Sequence, residues 1–173
     1  MIRLAEKQDL AEVTALYEAI LDYEAEHVNY TNWKKGLYPT AASVEKAYDA
    51  GTLYIGVQDD GAICSAVNLN AVQPEGYDEV PWAVEADGAE VLVIHTLGVH
   101  PQRKGHGYAK EVVLFAEALA KEKGCKTIRL DTFEENAPAE HLYTNLGYTF
   151  RGKIRILFES VIWETLICMD KVL

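Results

Sequence analysis

A chain of 173 residues, 49% of them hydrophobic, can bury one core and is short for two, so a single domain spanning residues 1–173 is expected. Its formal net charge of -11, from 16 Lys+Arg against 27 Asp+Glu, argues against nucleic acid as the main partner, because phosphate backbones select broadly basic surfaces. No apolar run approaches the roughly 18 residues of a membrane span, and the charged start MIRLAEKQDLAE lacks the apolar stretch of a signal peptide, which points to a cytoplasmic protein with no membrane partner.

Ile2 to Leu4 reads as a first strand, and Asp9 with Glu12 as a capping pair for a helix whose Leu10, Val13, Tyr17, Ile20 and Leu21 recur at helical spacing, leaving glutamates outside. From Asn29 to Thr40 aromatics mix with Gly36 and Pro39, which suits a loop. There Tyr30, Trp33 and Tyr38 are either hydrophobic plugs or one wall of a substrate pocket. A short helix from Ala41 to Ala50 stops at Gly51, and Asp59-Asp60-Gly61 turns a hairpin between Leu53–Gln58 and Ala62–Ala71. Gln73 to Glu90 is acidic and reads as a solvated loop or as a lip that attracts a cationic substrate.

Val91 to Val99 is apolar enough for a central strand covered on both faces, with Gly98 marking a bulge or a place where a ligand meets the backbone. Val112, Val113, Ala116, Leu119 and Ala120 then form a helical stripe ended by Gly124, and Thr127 to Thr132 is the next strand. This strand, helix, strand order implies a parallel pair. Asn136 to Leu146 is a further helix, and Tyr148 to Ile156 with Ile162 to Lys171 an antiparallel closing pair whose exposed edges permit a homodimer. The class is α/β with a mixed sheet. Cys64, Cys125 and Cys168 are odd in number and lack a Cys-x-x-Cys pair, so they are expected to be buried fillers in a reduced compartment, with no structural metal.

Charge singles out one stretch. No carboxylate lies between Glu90 and Glu111, where Arg103, Lys104 and Lys110 sit with His95, His100 and His106. Gly105 and Gly107 let a ligand approach the backbone, and the helix that follows points its positive end at the same turn, so an anion is expected there. Gly105-His106-Gly107 is not completed to a dinucleotide fingerprint, since Lys110 occupies the last position, and there is no Gly-Lys-Ser/Thr for a phosphate loop.

Gln102-Arg103-Lys104-Gly105-His106-Gly107, between strand and helix, resembles the acetyl-CoA motif of the GNAT superfamily of N-acetyltransferases. Asn136-Ala137-Pro138-Ala139-Glu140-His141-Leu142-Tyr143, closed by Asn145-Leu146-Gly147-Tyr148, resembles a second motif of that superfamily, in the same order. The resemblance is clear from about Glu90 to Gly152 and implies a mostly antiparallel sheet of about seven strands with a central parallel pair and about four helices. It also implies roles. The turn from Arg103 through Gly105, His106, Gly107 and Tyr108 to Ala109 would hold the pyrophosphate of acetyl-CoA, and Leu97, Gly98 and Val99 would pair with its pantetheine arm. Asn136 would bond the cofactor, and Tyr143 would lie beside its sulfur.

Acyl transfer needs a neutral amine, yet an alkylamine with a pKa of about 10.4 is mostly protonated at neutral pH, so a base is required. His95 on the central strand is the candidate, with Glu90 or water as alternatives, or it is a structural histidine. Tyr143 is by type a suitable acid for the departing thiolate, or a packing residue. The acceptor is a small-molecule or peptide amine, and the acyl group acetyl or longer. A non-catalytic acyl-CoA-binding or sensory module remains the alternative.

Overall fold

The computed structural model describes residues 1–173 and contains the mixed α/β architecture expected. Strands β1 (Ile2–Leu4), β2 (Leu53–Val57), β3 (Ile63–Asn70), β4 (Val91–Val99), β5 (Thr127–Phe133), β6 (Thr149–Phe158) and β7 (Ile162–Val172) form one sheet in the order β1-β2-β3-β4-β5-β7-β6. Helices α1 (Leu10–Glu26), α2 (Ala41–Asp49), α3 (Tyr108–Glu122) and α4 (Ala137–Asn145) connect them. β4 and β5 run parallel, while the pairs β1–β2, β2–β3, β5–β7 and β6–β7 are antiparallel. The chain divides into two compact units. The first comprises Met1–Asn29, Trp33–Leu69 and His95–Phe115; the second comprises Tyr30–Asn32, Asn70–Ile94 and Ala116–Leu173.

In the first unit the apolar stripe of α1 works as its spacing predicts. Val13, Leu16, Tyr17 and Ile20 pack with Val44 and Ala47 of α2 and with Leu53, Ile55, Ile63 and Ala66 of the β2–β3 hairpin. Each large aliphatic side chain buried in this way contributes about 1.5–3 kcal/mol. The start of α1 differs from expectation. Asp9 does not pair with Glu12, because Arg3 Nη1 lies 2.7 Å from Asp9 Oδ2 and holds that carboxylate below its usual range, while Glu12 accepts from the Ile63 amide at 2.8 Å. Glu24, expected on the outer face, is buried.

The second unit corrects the reading of the acidic stretch as a merely solvated loop. Tyr77 and Val80 enter a core with Val91, Val93, Ile154, Leu166 and Cys168. Burying Arg129, only 4% exposed, demands partners, and this stretch supplies them. Arg129 Nη2 donates to Val84 O at 2.8 Å, Nη1 donates to Ala86 O and to Gln73, and the guanidinium lies 4.6 Å from the Trp82 ring. The stretch is a cap stitched down by a strand arginine. Of the cysteines, Cys64 and Cys168 are buried as expected, but Cys125 is part-exposed, its thiol donating to Ala89 O at 3.4 Å.

Candidate functional site

In the first unit the site begins where β4 changes character. Parallel pairing with β5 runs from Val91↔Thr127 to Ile94↔Leu130, and two residues later Thr96 has φ 51. A β-branched residue avoids the left-handed region, so the surroundings must hold it there. Tyr17 donates to Thr96 O at 2.7 Å, and the Tyr38 phenol hydrogen-bonds Thr96 Oγ1. Trp33 braces both phenols edge-on, with ring centroids 5.8 Å from Tyr17 and 6.2 Å from Tyr38. The irregularity expected at Gly98 is therefore at Thr96. Gly98 answers a different need: a Cβ there would lie 2.8 Å from Ile20 and 2.9 Å from Tyr17, so its hydrogen lets α1 lie against the strand.

Beyond Val99 the chain makes a short 3-10 turn over Pro101–Arg103, with Gln102 N bonded to His100 Nδ1 at 3.3 Å, and then passes Gly105 and Gly107 at φ 81 and 85. A Cβ at either glycine would meet nothing within 4 Å, so this side of the turn is open. None of the backbone N–H groups from Gly105 to Lys110 donates within the chain, and the first to bond back is Glu111 N, to Gly107 O at 3.0 Å. Successive free donors at the positive end of the fifteen-residue α3, on an open surface, fit a phosphate-bearing ligand such as the pyrophosphate of acetyl-CoA. The flanking side chains are anchored elsewhere. Arg103 lies 3.7 Å from Asp60, Lys104 stands over the Tyr23 ring at 4.2 Å, His106 Nδ1 sits 3.0 Å from Lys104 O, and the Tyr108 hydroxyl accepts from Gln58. The cradle is thus a backbone feature, whatever the basic side chains add.

In the second unit Asn136 is the N-cap of α4, its side-chain oxygen accepting from Ala139 N at 3.3 Å. One turn on, Tyr143 is 6% exposed and packs edge-on against Tyr148 at 5.6 Å. Burial, with the charge of Asp131 second, raises its pKa, so it stays protonated at neutral pH. The far end of α4 is pinned by Lys171 of β7, whose Nζ donates to Leu146 O at 2.8 Å while bonding Glu117 of α3 at 2.8 and 2.9 Å. Glu90 pairs with Lys126, a hydrogen bond that lowers its pKa and makes it a poorer proton acceptor than a free glutamate.

The structure thus gathers His95, Leu97, Gly98, Val99, the turn from Gln102 to Ala109, Trp33 and Tyr38 in the first unit, and Asn136, Tyr143 and Tyr30 in the second. His95 is part-exposed on β4 just past the β5 ladder. Sequence reasoning missed Tyr17 and Thr96 because a buried tyrosine counts as one more apolar position and positive φ in a threonine leaves no trace in composition. It also missed Asp131. Charges at alternate positions of an apolar strand, Arg129 and Asp131 in TIRLDTF, are the available signal. No group of three or more His, Cys, Asp or Glu side chains is placed to hold a metal ion, and no helix is long and apolar enough to cross a membrane.

Residues 13–148 match the model of the Acetyltransferase (GNAT) family. Streptothricin acetyltransferase of Streptomyces lavendulae is 30% identical over 73 residues, a segment that covers 42% of this chain and only 39% of that protein. Among solved structures, an acetyltransferase of the GNAT family from Streptococcus agalactiae superposes with a TM-score of 0.79 at 21% identity, covering 100% of this chain and 95% of that one. The Salmonella typhimurium protein yncA, solved with its cofactor acetyl-CoA, superposes with a TM-score of 0.68 at 18% identity over 99% and 92% of the two chains. At these identities the superpositions establish a shared fold.

Proposed function

The chain belongs to the GNAT acetyltransferase family, and from that premise we propose that it is an acetyl-CoA-dependent N-acetyltransferase acting directly on a primary amine, with no covalent enzyme intermediate. The observation that carries this reading is the open turn at Gly105 and Gly107, whose N–H groups have no partner in the chain. Acetyl-CoA supplies the activated acyl group as co-substrate. The turn from Gln102 to Ala109 binds its pyrophosphate, Leu97 to Val99 offer strand edges to the pantetheine, and Asn136 contributes a side-chain N–H while its oxygen caps α4.

Tyr143 is assigned as the acid. Because burial keeps its hydroxyl protonated at neutral pH, it has a proton to donate to the departing sulfur. His95 is assigned as the base that frees the attacking nitrogen, since imidazole titrates near neutrality and Glu90 is held by Lys126. Trp33 and Tyr38, with Tyr30, are the candidates for acceptor contact. Both units act as one domain, in the cytoplasm, and the exposed Leu157, Val161 and Trp163 of the β6–β7 hairpin are where a homodimer contact would be sought.

The test is release of free CoA thiol from acetyl-CoA on adding a panel of small amines and peptide N-termini. Turnover with at least one small primary amine is expected. Tight CoA binding without turnover across the panel would instead make the chain a binding or sensory module.

A further inference from the structure

Strand β5 holds a carboxylate that the reading above does not use. Asp131 follows Leu130, the last β5 residue in the parallel ladder with β4, and so stands where that edge of the strand becomes open. On its other edge it pairs with Cys168 of β7. Tyr77 donates to its Oδ2 at 2.8 Å, while Oδ1 carries no protein hydrogen bond and the residue is part-exposed. Its charge also reaches Tyr143, where it adds to the effect of burial.

Asp131 makes no ion pair with the groups around it. Tyr77 and Cys168 are both pushed up by burial, the thiol to about 12, and are neutral. Arg129, two residues earlier, turns its Nη1 and Nη2 to Val84 O, Ala86 O and Gln73. Glu164 of β7 accepts from Asn32 at 2.8 Å, and its charge opposes ionisation of Asp131. Tyr143 of α4 is protonated.

Resting on the acetyltransferase reading, we infer that Asp131 is the acceptor-recognition residue: its open Oδ1 receives the ammonium group of a cationic alkylamine, the form in which such an acceptor exists in neutral solution. The base takes one proton from that ammonium, and as the C–N bond forms and the C–S bond breaks a second proton passes to the departing thiolate by way of Tyr143; the neutral amide left behind no longer pairs with the carboxylate, so the contact that recruits the acceptor does not hold the product. Asp131 thereby selects alkylamines over amines that are neutral at the same pH. Burial, with Glu164 adding to it and Tyr77 opposing it, brings its pKa to about 6. It is therefore ionised at neutral pH, and cation recognition falls as pH drops through about 6.

The test compares benzylamine, an ammonium at neutral pH, with aniline, neutral at the same pH and nearly the same shape. In Asp131→Asn the amide keeps the Tyr77 bond and removes a charge that burial disfavours, so the variant is expected to fold with undiminished thermal stability. KM for benzylamine should rise about 10- to 100-fold, with the KM for aniline within about twofold and calorimetric CoA affinity unchanged. Asp131→Glu should recover part of the loss. The rise in benzylamine KM below about pH 6 should vanish in the Asn variant. Equal changes for both amines, or none, overturn the inference. Calorimetry of benzylamine against the CoA-saturated protein separates the two readings: Asp131-dependent binding without turnover would sink the catalytic reading and leave this one standing, whereas binding indifferent to residue 131 would sink this one.

Discussion

The two units carry the proposed chemistry in different materials. In the first it is made of backbone: free N–H groups from Gly105 to Lys110, a glycine at 98 that exists to let α1 approach, and a threonine at 96 held at positive φ by two phenols. In the second it is made of polar side chains: buried Tyr143, part-exposed Asp131 with Tyr77, buried Arg129 under its cap, and part-exposed Lys171 between two helices. A backbone site is sensitive to what is added, since a new Cβ fills space or forbids a conformation. A side-chain site is sensitive to what is removed, since an orphaned buried partner costs more than the lost bond was worth. Substitutions that add atoms should therefore damage the first unit and deletions of single atoms the second.

The largest effect is expected from Gly98→Val. Its Cβ alone would come within 2.8 Å of Ile20 and 2.9 Å of Tyr17, both in the first core, so urea denaturation should show a loss of about 3 kcal/mol, with CoA binding lost alongside. A stable, CoA-binding valine variant would mean that α1 does not lie on the strand as described. Next comes Tyr143→Phe, which removes one oxygen from the second unit. If the hydroxyl serves the leaving sulfur, kcat should fall about 100-fold while CoA affinity holds. Loss of stability with kcat intact would return Tyr143 to a packing role against Tyr148.

The same division explains what was legible in the sequence. Element order along the chain, hairpin and helix ends were readable because Gly51, Gly61, Gly124 and Gly147 all take positive φ where a stop or turn is expected, and because the α1 stripe has the right period. The turn at Gly105 and Gly107 was readable because a backbone site leaves glycines as its signature. Asp131 was not, because an aspartate in the sequence looks the same whether solvated or enclosed, and only the fold brings Tyr77 from 54 positions away to bond it. The acidic stretch failed for a related reason. Its carboxylates face outward as composition suggests, but its carbonyls and Trp82 are turned in to meet Arg129, and composition says nothing of carbonyls.

Gly105→Val separates conformation from contact. A Cβ there meets nothing in the protein, so the folded state is charged only with left-handed strain of about 1–2 kcal/mol, and the unit should remain folded. A ligand that must approach the backbone meets the whole side chain. CoA affinity should therefore fall more than about 10-fold in calorimetry, and retained affinity would undo the cradle.

Tyr17→Phe is the subtlest of these changes and tests the link between strain and site. It deletes the donor to Thr96 O and leaves the ring in the first core, so stability should drop by about 1 kcal/mol. If Thr96 is held at positive φ in order to present Leu97 to Val99, losing one of its two phenol restraints should also weaken CoA binding by a few-fold. Tyr38→Phe should do likewise, and the pair should be less than additive, because both bonds act on one residue. Additive losses in stability with CoA affinity untouched would mean that the phenols merely fill the core, and that the turn alone carries cofactor recognition.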